Sequence, residues 1–76
     1  MKRSIVYRCE DGAREALRVM DGGGSVMQAQ YAFEKESGVE LPYRNKSDFK
    51  SLCYAYLDIA EKYRHAEQQD EESGNV

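Results

Sequence analysis

An apolar stripe with helical spacing runs through residues 48–64, and it sets the architecture that this chain can adopt. Ser47 can cap a helix here, and Asp48 lies in the first turn, where the helix dipole favours an acid. Asp58 and Lys62 have the spacing and order of a favourable ion pair. The pattern predicts a helix over residues 48–64, with an extension over the next turn left open. At 100° per residue, its predicted core face consists of Phe49, Leu52, Cys53, Tyr56, Leu57, Ile59, Ala60 and Tyr63.

A second helix is predicted for residues 26–36, between a cap at Ser25 and a stop at Gly38. It has two apolar stripes. Met27 and Tyr31 form the second stripe, which lies about 100–140° around the helix from the first. A helix of this kind has neighbours on two sides, or it leaves one stripe for a partner molecule. The first stripe comprises Val26, Ala29 and Phe33.

The first third of the chain is compatible with two structures. Alternating apolar side chains at residues 5–9 are typical of a short strand, which Asp11 and Gly12 would end. The same segment also has helical spacing, and Ser4 can cap a helix that continues to residue 20. Asp-Gly is poor helix material, so a break near residue 11 is favoured. The helical stripe consists of Ile5, Cys9, Gly12, Ala16 and Met20.

Two connections separate these elements. The first, residues 22–25, is a flexible Gly-rich link. The second, residues 37–46, contains Pro42, which favours an extended conformation in the preceding residue. An unattached loop of this length is unusual in so small a domain, so we expect it to be anchored on the core. The predicted anchors are Val39, Leu41 and Tyr43.

Together these patterns predict a mainly α fold, a small single domain of about three helices over residues 1–66, with a short N-terminal strand left open. The last segment, residues 67–76, has no large apolar residue before Val76, so we expect an acidic and disordered tail. Charge is divided accordingly. The net charge is −3, yet residues 1–66 hold all 11 basic residues and ten of the 14 acids, which leaves them at +1.

Several classes of function find no support in the sequence. The longest apolar run, residues 53–57, is far short of the roughly 20 residues of a membrane helix. A secretory leader is not apparent, so we expect a cytoplasmic protein in which both cysteines stay reduced. Cys53 and His65 lie about 18 Å apart along one helix, too far for a nucleophile–base pair. Zinc-binding pairs and a phosphate-binding loop are also missing. We therefore predict no enzyme activity, no cofactor and no metal.

Binding is the remaining class of function. Tyrosine is enriched at protein interfaces, and the chain has six tyrosines. The leading prediction is a small adaptor or inhibitor that binds a protein through Met27 and Tyr31, with Tyr54 and the basic turn at residues 44–50 as rival contacts. A homodimer is one option, because a second copy would enlarge a small core. The alternative is a nucleic-acid-binding regulator. Its contacts would be the basic residues around the start of the last helix: Arg44, Lys46 and Lys50.

Overall fold

The computed structural model describes residues 4–74, with side chains described for residues 4–67. It consists of three helices: α1 (Ile5–Asp21), α2 (Val26–Ser37) and α3 (Lys46–Gly74). Within residues 4–74 there is no strand. The predicted mainly α, three-helix architecture is therefore confirmed.

α1 is one continuous helix, so the break favoured near residue 11 and the strand at residues 5–9 are wrong. The Oγ atom of Ser4 accepts a hydrogen bond from the Val6 amide at 3.2 Å and caps the helix, as the second alternative required. Gly12 lies within the helix and packs against Phe33, and it does not form a turn. A Cβ atom at this position would lie 2.9 Å from both the ring and the carbonyl oxygen of Phe33. The missing side chain thus lets α2 approach α1 closely. From the sequence pattern alone, a glycine at such a helix contact looks the same as a glycine that breaks a helix.

α1 lies between the other two helices and runs antiparallel to both. Near its start, the ring of Tyr7 packs edge-on against Tyr63 of α3, with centroids 5.7 Å apart. Near its end, Asp21 faces Lys50 of α3 at 4.0 Å. α2 and α3 contact each other far less than either contacts α1. The core is consequently centred on α1, and each outer helix has a wide uncovered face.

Phe33 is the point at which all three helices meet. It is fully buried, and its ring covers Gly12 of α1. Its ring also packs edge-on against Phe49 at 6.2 Å and stacks on Tyr56 at 5.3 Å. The predicted stripe of α2 is therefore confirmed as its core face. The buried apolar residues are Cys9, Ala13, Ala16, Leu17, Met20, Ala29, Phe33, Phe49, Cys53 and Ala60.

The core face of α3 is narrower than predicted. Ile59 and Tyr63 are 50% and 40% exposed, because α3 packs on α1 alone along this stretch and its flank stays uncovered. The predicted ion pair between Asp58 and Lys62 is present at 3.1 Å.

Both ends of α3 differ from the prediction. The N-cap is Asn45 and not Ser47, because the Asn45 Oδ1 atom accepts from the Asp48 amide at 2.8 Å. The Asn45 side chain also donates to the Asp48 carboxylate at 3.0 Å. At the other end the helix continues to Gly74. The disordered tail over residues 67–76 stays a prediction, since side chains beyond residue 67 and all of residues 75–76 lie outside the described part.

Candidate functional site

The loop between α2 and α3 is held in place by side chains of α2. The Nε2 atom of Gln30 donates to the Pro42 carbonyl at 3.3 Å, and its Oε1 atom accepts from the Arg44 amide at 2.9 Å. One turn further along α2, the Glu34 carboxylate accepts from the Leu41 amide at 3.1 Å. Gln30 is 6% exposed, so its own two bonds are partly shielded from water. Backbone groups of an irregular segment thus find partners that a sheet would otherwise supply.

Ser37 makes the third attachment, at the end of α2. Its hydroxyl donates to the Phe33 carbonyl at 2.7 Å and accepts from the Val39 amide at 3.1 Å. Gly38 then turns the chain with a φ of 75°, which is a left-handed conformation that favours glycine. The predicted anchoring of the loop is confirmed for Val39 and Leu41, which pack against the core.

Tyr43 does not anchor the loop, contrary to the prediction, and contributes instead to an exposed surface. Met27, Tyr31 and Tyr43 are 69%, 68% and 67% exposed, and we name this group the α2 surface. All three border one shallow cavity of about 260 Å³ between α2 and the loop. The two residues predicted from the second stripe of α2 are therefore exposed together, and the loop adds a tyrosine to them. The cavity is completed by Gln30, Glu34 and Leu41.

The third predicted protein-binding residue lies elsewhere. Tyr54 is 57% exposed on the outer face of α3. Among the described side chains, neither a ring contact nor a shared cavity connects Tyr54 with Met27 or Tyr31. The structure thus splits the predicted set into the α2 surface and one isolated tyrosine.

The three predicted nucleic-acid-binding residues are not equivalent. Lys46 is exposed in the first turn of α3. Lys50 lies opposite Asp21, and this acid offsets its charge. The Nε atom of Arg44 is buried and has no hydrogen-bond partner among the described residues. The three side chains therefore differ in exposure and pairing, with Lys46 the most open to solvent, and binding of nucleic acid through the turn at residues 44–50 stays a prediction.

A second polar cluster joins α1 to the C-terminal half of α3, and the sequence analysis missed it. Glu10 is 5% exposed. Its carboxylate accepts from Arg64 at 2.9 and 3.1 Å and from Arg14 at 3.1 Å. The Arg64 guanidinium lies 5.4 Å from the centroid of the Tyr7 ring, and the Tyr7 hydroxyl donates to Glu67. Hydrogen bonding to Glu10 raises the pKa of Arg64, which stays charged.

Neither cysteine has the environment of a nucleophile. Cys9 and Cys53 are free thiols, and both are buried. Burial raises the pKa of Cys53 to about 11 and also raises the pKa of Cys9. His65 faces Glu61 at 3.2 Å on the outer side of α3. Over the described residues, no group of three or more His, Cys, Asp or Glu side chains is placed to hold a metal ion.

None of the helices described for residues 4–74 has the length and apolar character to span a membrane. Comparisons of the chain with protein-family models, curated proteins and solved structures found no match.

Proposed function

We propose that this chain is a non-enzymatic, cytoplasmic, protein-binding regulator, an adaptor or an inhibitor, that acts through the α2 surface. The observation that carries the proposal is the joint exposure of Met27, Tyr31 and Tyr43 around one cavity. Exposed apolar residues are common singly, whereas a contiguous group marks an interaction site. Tyr and Met are also enriched at protein interfaces.

The loop attachment supports the same proposal. Gln30 and Glu34 fix the backbone on both sides of Tyr43 through the Leu41, Pro42 and Arg44 groups. A surface that is ordered before binding loses less conformational entropy when a partner docks. The α2 surface is thus preorganised by bonds that do not involve its own exposed side chains.

The test is capture of a partner from host lysate by the tagged full chain, with and without nuclease, using matched tyrosine variants. Tyr31→Asp and Tyr43→Asp should each abolish capture of a stoichiometric protein while helical circular dichroism is unchanged. Tyr54→Asp is the control, because it puts the same charge on a tyrosine of another face that is also more than half exposed. Capture that persists in the Tyr31→Asp, Tyr43→Asp double variant would contradict the proposal.

Two other outcomes identify the partner class. Material that is lost on nuclease treatment would favour the nucleic-acid alternative and the basic turn at residues 44–50. If the wild-type chain associates only with itself, and Tyr31→Asp makes it monomeric by analytical ultracentrifugation, the partner is a second copy of the chain.

A further inference from the structure

A second concave site lies on a different face from the α2 surface. It is a groove of about 230 Å³ between the start of α1, the middle of α3 and the loop. Its lining contains no charged side chain. The half-exposed residues Ile5 and Ile59 stand on opposite sides. The six lining residues are Ile5, Val6, Cys9, Val39, Tyr56 and Ile59.

Two arginines that have no ion pair with another described residue lie near this apolar groove. The Nε atoms of Arg8 and Arg44 are buried, and neither has a hydrogen-bond partner within residues 4–67. The Arg8 guanidinium lies beside Gly38, 3.8 Å from the position a Cβ would take there, and Gly38 precedes the lining residue Val39. The positive charge of Arg44 is felt at Tyr56, another lining residue, where it opposes the burial that raises the pKa of that hydroxyl.

These arginines are exceptional within the protein. Arg14, Arg18 and Arg64, the other arginines of the described part, each contact a carboxylate within 3.3 Å. The whole chain also carries an excess of acids, with a net charge of −3. A buried Nε–H group without an acceptor is costly, and an anion placed against Arg8 or Arg44 would satisfy it.

We propose that this groove binds a small aliphatic carboxylate, with its alkyl chain against Ile5, Val6 and Ile59 and its carboxylate toward Arg8 and Arg44. The groove volume is below the range of about 300–1,000 Å³ that is typical for drug-sized ligands, which favours a short or medium-length chain. An all-apolar lining suits the alkyl chain, and the unpaired cations suit only an anionic head. The site is independent of the proposed α2 surface, because the two cavities share no residue.

The experiment is a titration of the full chain with hexanoate, octanoate and octan-1-ol below their aggregation limits. It is followed by calorimetry and by backbone amide shifts. Octanoate should bind saturably and shift the amides of Ile5, Val39 and Ile59. Each methylene added between hexanoate and octanoate should strengthen binding about fourfold, the equivalent of about 0.8 kcal/mol per buried CH₂. Octan-1-ol should bind at least tenfold more weakly than octanoate, since it lacks the charge.

Variants test the head-group contact separately from the fold. Arg44→Gln and Arg8→Gln should each weaken the binding of octanoate at least fivefold and leave the affinity for octan-1-ol unchanged. Arg18→Gln is the matched control, because its partner Glu15 lies on the exposed side of α1, and it should have no effect. Ile59→Asp places a carboxylate at a half-exposed position on the edge of the groove, where it should repel octanoate and abolish its binding. This variant keeps the proposal testable if an arginine variant fails to fold.

Three results would overturn the proposal. They are the absence of saturable octanoate binding, equal affinity for octan-1-ol, and amide shifts at Met27, Tyr31 and Tyr43 with none at Ile5, Val39 or Ile59. Each of these leaves the proposed protein-binding function untouched, because that function is tested on the other face.

Discussion

A buried polar residue helps to attach the loop, and another helps to attach the C-terminal half of α3, but the two residues differ in chemistry. Gln30 holds the loop with a neutral amide that bonds only to backbone groups. Glu10 holds α3 with a carboxylate that contacts the guanidinium of Arg64, which is 40% exposed. Since salt screens charges near water, the contact between Glu10 and Arg64 should respond to salt concentration, whereas the two bonds of Gln30 should not. The more robust attachment is the one that positions the α2 surface.

We expect the largest effect from a substitution of Phe33, the residue on which both the loop and α3 depend. Phe33→Ala should lower the free energy of unfolding by about 3–5 kcal/mol, because the ring fills the space between all three helices. Loop and α3 should lose structure together in urea denaturation followed by circular dichroism. Tyr31→Ala is the control, and its effect should stay within about 0.5 kcal/mol because the side chain is exposed. A loss below about 1 kcal/mol for Phe33→Ala would show that the core is not centred there.

We expect the next largest effect from substitutions of Gln30, which break only its bonds to the loop. Gln30→Ala should cost about 1–3 kcal/mol, because it leaves the Arg44 amide and the Pro42 carbonyl without partners. Gln30→Glu should also be destabilising, since a carboxylate can accept from the Arg44 amide but places a buried charge against the Pro42 carbonyl, to which it cannot donate. The measurement is urea denaturation with Lys35→Ala, an exposed change on the same helix, as the control. Equal stability of Gln30→Ala and Lys35→Ala would contradict the role given to Gln30.

Salt sharpens the comparison between the two attachments. Arg64→Met should lower the melting temperature in low salt, and the difference from wild type should shrink in high salt as the Glu10 contact is screened. The deficit of Gln30→Ala should be the same in both buffers. Arg18→Met, which breaks an exposed pair with Glu15, should change little in either buffer. A salt-independent deficit for Arg64→Met would mean that Arg64 stabilises α3 by packing alone.

We expect the smallest effect from the buried thiol of Cys53, which lies in the apolar core. Burial raises the pKa of Cys53 from 9.0 to about 11, so the folded protein disfavours the thiolate. The contribution of this thiol to stability is complete below pH 9 and is lost as pH rises towards 11. Melting curves between these limits should therefore fall more steeply for wild type than for Cys53→Ala. Parallel curves for the two proteins would contradict the burial of this thiol.

Periodicity was sufficient to predict the parts of the fold that depend on helix faces. The core stripes of α2 and α3 follow from the spacing of residues such as Phe33, Phe49 and Cys53. The exposure of Met27 and Tyr31 follows from their angle to that stripe. These features depend on 3.6 residues per turn, and sequence order contains that information.

Features that depend on contacts between elements were not predictable in the same way. The Asp-Gly pair at Gly12 predicts a break, because only the position of Phe33 shows that this glycine is a helix contact. Ile59 shares the apolar face of the helical pattern, and the pattern does not reveal how little of α3 is covered.

The role of Gln30 had a faint signal. Gln30, Glu34 and Ser37 share one face of α2, and the long loop after it has backbone groups that need partners. Nothing in the sequence alone, however, places Tyr43 beside Tyr31, because an extended loop has no period that fixes the direction of a side chain.

Amide hydrogen exchange of the loop in the wild-type chain tests whether α2 side chains order this loop and so preorganise the surface around Tyr43. We expect the amides of Val39, Leu41 and Arg44 to be protected like helical amides. The Glu40 amide, for which the structure gives no such bond, should exchange quickly. Exchange of all four amides at the rates of an unstructured peptide would contradict this ordering of the loop.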